Sequence, residues 1–208
     1  MDVEAFGPVA NGGGGISVIN RATETVTATI STSGNAVLDI ATITLVNTGA
    51  TAAEVVLNFF DNNGAALPLP LTFPQGSSNA PLLASTLDQT IGAGGELVVA
   101  TAGTASQTTV QGWTQVLTNG SLGGAAVFVW MPPAGAQEAV VPIETTNPSA
   151  FVLPFDYTGG YASGVGLANL TNQAVNIPVV LRDSGGSSLG AAAPIALAAY
   201  GHTSVLAK

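Results

Sequence analysis

Apolar and polar side chains alternate along this chain with a period of two, the spacing of a β-strand with one face turned inward. Between Ala174 and Arg182, the residues Ile177, Val179 and Leu181 fall on one face, and Asn176, Pro178, Val180 and Arg182 on the other. Arg182 marks the second face as the solvated one. Runs rich in Val, Ile, Leu, Thr and Phe recur at intervals of roughly 8–15 residues, broken by Gly, Asn, Asp and Pro, which is how a β-sandwich reads. Strands are predicted over 37–47, 53–61, 66–73, 84–91, 95–101, 108–118, 124–131 and 138–144, then over 162–169, 174–182, 188–197 and 202–207. No stretch keeps the apolar spacing of a helix, and the glycines and β-branched residues disfavour one. The expected fold class is all-β.

The second half of the chain repeats the first. LVNTGATAAEVVLNFFDNNGAAL at 45–67 aligns without a gap on LANLTNQAVNIPVVLRDSGGSSL at 167–189. Leu45, Asn47, Asp61, Gly64 and Leu67 match Leu167, Asn169, Asp183, Gly186 and Leu189, and apolar Val55, Leu57 and Phe59 fall on Ile177, Val179 and Leu181. After a shorter loop the match resumes, with AGGELVVA at 93–100 lying over AYGHTSVLA at 199–207. The first copy then goes on with strand-like sequence to about residue 144, whereas the second reaches Lys208. By the repeat, Val55, Leu57 and Phe59 are core, while Asn58 and Phe60 point outward. Phe60 is an aromatic where the sister copy carries Arg182, which makes it a candidate contact surface; cover by a local loop is the competing reading.

Three segments follow from this. Residues 1–35 form an arm, 36–146 a complete sandwich repeat, and 147–208 a truncated second repeat. The linker TTNPSAFVLPFDYTGG at 145–160 is stiffened by Pro148 and Pro154 and should hold the two units in a fairly fixed relation. The arm opens with NGGGG at 11–15 and continues with two strand-like pieces, GISVIN at 15–20 and ETVTATIS at 24–31. In the second piece Val26, Ala28 and Ile30 alternate with threonines.

A sandwich lacking strands presents unpaired backbone N–H and C=O groups and uncovered apolar side chains. Each large side chain so exposed forgoes roughly 1.5–3 kcal/mol of burial, against the ~5–15 kcal/mol that stabilises a whole domain. The second unit is therefore expected to need added strands. The arm can supply them within its own chain, or to another copy in a head-to-tail contact that grows into a filament. Continuation of the natural chain past Lys208 is the third possibility. Donation between copies is the reading carried forward. Its donor residues are Ile16, Val18, Ile19, Val26, Ala28 and Ile30; its acceptor residues are Leu167, Ile177, Val179, Leu181 and Val205, with Phe60 as a surface contact.

Composition narrows the function classes. Hydrophobic residues make up 47% of the 208 and charged residues 7%, with a formal net charge of −9. There is ample apolar sequence for a core, so disorder is excluded. Three basic residues, Arg21, Arg182 and Lys208, cannot neutralise many phosphates, which argues against nucleic acid and against an anionic membrane surface. With no cysteine, neither a disulfide framework nor a thiolate metal site exists. No apolar run approaches the ~20 residues of a membrane span. The start MDVEAFG lacks the pattern of a signal peptide, so the chain reads as a mature form with an added Met1 or as intracellular. Few lysines and many Gly, Ala, Thr and Asn tilt the reading toward a secreted or cell-surface protein.

Candidate chemistry is sparse. His202 is the only histidine, which excludes a multi-histidine metal site and weakens any Ser-His-acid arrangement; it reads as a turn residue with a satisfied ring nitrogen. The serines show no GxSxG elbow. Glu138, Glu144, Asp156 and Asp183 are scattered rather than paired for glycoside hydrolysis. DNNG at 61–64 and DSGG at 183–186 resemble parts of calcium loops, yet each offers one carboxylate, and a hairpin turn needs the same residues. The glycine runs at 11–15 and 92–95 precede no helix carrying a lysine, so phosphate binding is unsupported. Trp113, Phe128, Trp130, Tyr157 and Tyr161 could form a sugar platform, although such residues are more often core or interface anchors. NGS at 119–121 and NLT at 169–171 fit the glycosylation pattern, which is common by chance.

The LxNxG-type start (Leu45, Asn47, Gly49), the hairpin FFDNNGAAL and the segment LPFDYTGGYASGVGLAN resemble the immunoglobulin-like β-sandwich modules of secreted bacterial proteins, over about 36–208. A looser similarity links ISVINRATETVTATI to single strand-pair units of bacterial surface β-propellers. The first resemblance implies two tandem immunoglobulin-like units with an architectural or adhesive role. The expected function is a non-enzymatic extracellular structural protein, without cofactor or metal, whose partner is itself. The alternative is a glycan-binding or adhesion module of a larger surface protein.

Overall fold

The computed structural model describes residues 40–77, 80–101, 111–130, 137–143, 150–155, 163–191 and 193–207, together with the backbone of 26–31. Every regular element among the described residues is a β-strand. In the first unit these are β1 (Val26–Ser31), β2 (Ile40–Asn47), β3 (Ala53–Asp61), β4 (Leu69–Thr72), β5 (Leu82–Ala84), β6 (Thr86–Ile91), β7 (Glu96–Thr101), β8 (Gln111–Thr118), β9 (Leu122–Trp130) and β10 (Gln137–Pro142). The second contains β11 (Ser163–Ala168), β12 (Val175–Val179), β13 (Ala193–Leu197) and β14 (His202–Ala207).

Two antiparallel sheets make the first unit, in the orders β1-β8-β3-β6 and β10-β9-β2-β7-β4-β5. Alternation decides what lies between them. Val55, Leu57 and Phe59 of β3 are no more than 1% exposed, and they share a core with Ile43 and Leu45 of β2, Leu71 of β4, Val99 of β7 and Val116 of β8. Val56, Asn58 and Phe60, one residue out of phase, are only half-buried. The result is a β-sandwich with its apolar faces turned together.

Two departures from the sequence expectations have physical causes. The run expected as one strand at 84–91 breaks at Ser85: β5 pairs with β4, while β6 pairs with β3 in the opposite sheet. One alternating stretch thus serves both layers, pinned where the Phe59 N–H donates to the Ser85 carbonyl at 2.9 Å. The larger correction concerns the arm. Its strand is not without a partner in the unit that follows it; β1 lies antiparallel to β8, with Val26 opposite Val116, Ala28 opposite Thr114 and Ile30 opposite Gly112. The expectation took the repeat at 36–146 to be complete without the arm. Strand β8 has β3 on one side only, and its other side offers a ladder that a strand of the same chain reaches at high effective concentration. Val26, Ala28 and Ile30 are therefore held in cis, and Ile16, Val18 and Ile19 lie outside the described residues.

The repeat is reproduced bond for bond. Strand β2 pairs with β7 and β11 with β14, Leu45 facing Leu97 as Leu167 faces Thr203. Strand β3 pairs with β6 and β12 with β13, Ala53 facing Ile91 as Val175 faces Leu197. Asp61 Oδ1 accepts from the N–H groups of Asn63 and Ala65, and Asp183 Oδ1 from those of Gly185 and Ser187. Gly64 and Gly186 close these turns at φ +85° and +84°. DNNG and DSGG thus act as turns, each carboxylate spent on its own backbone.

Buried asparagines do the same service in both copies. Asn47 Nδ2 donates to the carbonyls of Thr51, Ile91 and Gly92, and its Oδ1 accepts from Gly49 N–H. Asn169 Nδ2 donates to those of Gln173 and Ala198, with Oδ1 accepting from Thr171 N–H. Each clamps the loop that follows its strand to the turn before the last strand of the motif.

Candidate functional site

What distinguishes the copies is the cover over the shared motif. In the first, β9 flanks β2 and β8 flanks β3. In the second, among the described residues, β11 has only β14 beside it and β12 only β13. The side chains register the difference. Val55, Leu57 and Phe59 are buried, whereas their counterparts Ile177 and Val179 are half-buried and Leu181 is 41% exposed. Val180 and Leu189 are exposed as well. Val205, half-buried, stands where Val99 is 2% exposed. Of the expected acceptor residues, then, Ile177, Val179, Leu181 and Val205 line an incompletely covered face. Leu167 does not: it is buried at 3% exposure, as is Leu197 at 4%.

The second place where the copies differ is the joint between them. Phe60 points outward from β3, as the alternation requires, and its ring lies between two others. The Trp113 ring is 5.1 Å away, and the Tyr200 ring is stacked parallel at 4.9 Å. Trp113 Nε1 donates to the Tyr200 carbonyl at 2.8 Å. The Asn62 carbonyl accepts from the His202 backbone N–H at 3.0 Å, and Asn62 Oδ1 lies 3.1 Å from His202 Nδ1. Gly64 packs so closely that a Cβ there would meet the Ala199 carbonyl oxygen at 1.9 Å. The turn after β3 in the first unit is thus seated on the turn before β14 in the second.

The residues of this joint are chemically specialised. Tyr200 has φ +53°, in the left-handed region that a side chain occupies at a cost of roughly 1–2 kcal/mol. Its counterpart in the first copy is Gly94, at φ +67°. His202 is 5% exposed, and burial lowers its pKa from the usual 6.5 to about 4, so the ring is neutral at physiological pH. An amide oxygen accepts only, so the neutral ring carries its proton on Nδ1.

These positions revise several sequence readings. Phe60 is a contact residue, but its contact lies within the chain. His202 is the first residue of β14 rather than a turn residue, and its ring nitrogen is satisfied as expected, by Asn62 of the first unit. Trp113 is 1% exposed and engaged in the joint, so it cannot stack on a sugar; Phe128 is half-buried, and Tyr157 and Tyr161 lie outside the described residues. The roles of Asn62 and Tyr200 were missed, although Tyr200 could have been found as an aromatic facing a glycine in the repeat. Among the described residues no three His, Asp or Glu side chains gather as a metal site. No helix of the described residues is long and apolar enough to cross a membrane.

No protein-family model matches the chain, and no curated protein matches it significantly. Among solved structures it is similar to one described as the crystal structure of Thermotoga maritima 1070, with 9% identity and a TM-score of 0.40, over 61% of this chain and 97% of that one.

Proposed function

We propose that this is a non-enzymatic, extracellular structural protein that assembles with copies of itself, the second unit of one chain being completed by a strand from the next. One observation carries the reading: the same motif buries Val55, Leu57 and Phe59 between two sheets in the first unit, where β8 pairs with β3, and in the second leaves Leu181 41% exposed beside an edge that has no partner among the described residues. Strand addition would satisfy that edge and cover that face together. Because β1 is held by β8, the strand proposed as donor is the preceding segment, residues 15–20, with Ile16, Val18 and Ile19 as its apolar side chains. The low charge fits a protein whose surface is largely buried in an assembly.

The test is electron microscopy of the full chain beside a variant lacking residues 1–22, which keeps β1. Filaments that form only from the full chain, with equal thermal stability of the two proteins, are the expected result. Filaments from both would reject the arm as donor. A full chain that stays monomeric at every concentration would reject self-assembly.

A further inference from the structure

The joint inside the chain uses two turns, and each copy of the motif owns both. The first unit contributes its turn after β3 (Phe60, Asn62, Gly64), and the second contributes its turn before β14 (Ala199, Tyr200, His202). That leaves one of each unused: the second unit's turn after β12, with Arg182, Ser184 and Gly186, and the first unit's turn before β7, with Ala93, Gly94 and Glu96. Both are open. A Cβ on Gly186 would meet nothing within 4 Å, nor would one on Gly94, whereas at Gly64 it would strike the partner turn.

The unused pair is complementary in a different chemistry. Where the joint sets Phe60 against Tyr200 and Asn62 against His202, the equivalent contact sets Arg182 over Gly94 and Ser184 beside Glu96. Arg182 is one of three basic residues in a chain of net charge −9, and Glu96 is an exposed carboxylate. Two surfaces of so acidic a protein brought together at random would repel. The removal of the Tyr200 ring at Gly94 leaves room for a guanidinium in place of an aromatic stack. Arg182 Nη1 donates to the Gly186 carbonyl at 2.8 Å, which holds the guanidinium on its own hairpin with most of its five donors still to place. Glu96 is held in turn by the side-chain amide of Gln75.

We propose that the turn after β12 of one chain docks on the turn before β7 of another, repeating the internal joint head-to-tail with an Arg182–Glu96 ion pair in place of the aromatic stack. This rests on the self-assembly reading and assigns it a surface. It is consistent with strand donation, since the neighbour whose first unit docks here also brings its arm.

Assembly of the full chain would be followed by sedimentation velocity and light scattering against concentration, for the wild type, Arg182→Glu, Glu96→Arg and the double exchange. Each single reversal is expected to raise the concentration needed for assembly roughly threefold to tenfold, and the double to return it within about twofold. Both side chains are exposed, so melting temperatures should be unchanged; Arg182→Gln and Glu96→Gln give the same direction with smaller effect. Single reversals that assemble like the wild type would overturn this contact while leaving self-assembly standing. A wild type that never assembles would overturn both.

Discussion

Protonating His202 should loosen the joint between the units. In the folded chain the ring is buried against Asn62 with a pKa of about 4, whereas in the unfolded chain it titrates near 6.5. Because the folded value is the lower one, the stabilisation is complete above about pH 6.5 and is lost progressively as pH falls toward 4. At 1.36 kcal/mol per pH unit, a fall from 6.5 to about 4 amounts to about 3 kcal/mol, of which about 2 kcal/mol is gone by pH 5. His202 is the only histidine of the chain, so its imidazole proton resonances can be followed without assignment of anything else. The expected NMR titration has a midpoint near 4 in the intact chain. In Phe60→Ala, which removes the ring stacked on Tyr200, the midpoint should rise toward 6.5. His202→Gln, which cannot titrate, should flatten the thermal stability between pH 7 and 5. A wild-type midpoint near 6.5 would refute the burial argument. A midpoint that stays near 4 in Phe60→Ala would show that the second unit buries the ring without help from the first.

Asn47→Ala leaves the carbonyls of Thr51, Ile91 and Gly92 and the N–H of Gly49 without their partner, and should cost about 3 kcal/mol in chemical denaturation. Asn47→Asp, which points a carboxylate oxygen at the same carbonyls, should cost at least as much, and a milder effect would mean that water replaces the amide. Gly64→Ala and Gly186→Ala both place a side chain at positive φ, but only the former strikes the Ala199 carbonyl. In the dissociated chain Gly64→Ala should therefore be the more destabilising by calorimetry, and equal effects would argue that the turn after β3 is not seated on the second unit.

Much of the fold was legible because a strand with one buried face writes its orientation into alternate residues. Ile177, Val179 and Leu181, set against Arg182, declared an inward face in this way, and the gapless repeat carried the assignment to Val55, Leu57 and Phe59, which are the ones fully buried. The turns were legible for a similar reason: Asp followed by Gly meets the backbone requirement of a hairpin wherever it occurs. The pairing of β1 with β8 was not. Edge pairing is made by backbone groups that every residue possesses, so alternating Val26, Ala28 and Ile30 announce a strand without naming its neighbour. The joint was half legible. Phe60 stood out by its contrast with Arg182, and the same comparison at Gly94 and Tyr200 would have exposed the other half. Asn62 gave no such signal, because its turn is polar in both copies.

Divergence between otherwise faithful copies is where this chain has placed its interactions. Within the motif, Asn47 and Asn169, Asp61 and Asp183, and Gly64 and Gly186 are unchanged because they make the fold itself. At the two turns that meet, the copies part company: aromatic residues and a neutral histidine where the partner belongs to the same chain, charges where the turn faces outward. Tyr200 shows that the difference is not neutral drift. A left-handed tyrosine is disfavoured against the glycine that its sister copy keeps, and such strain persists where surrounding contacts determine it. Here those contacts are the Phe60 ring and the Trp113 indole N–H, both from the first unit. A joint that holds a residue against its backbone preference also fixes which way the uncovered face of Ile177, Val179 and Leu181 is presented. If a neighbour completes the second unit as proposed, that fixed direction is what would let the donated strand find its edge.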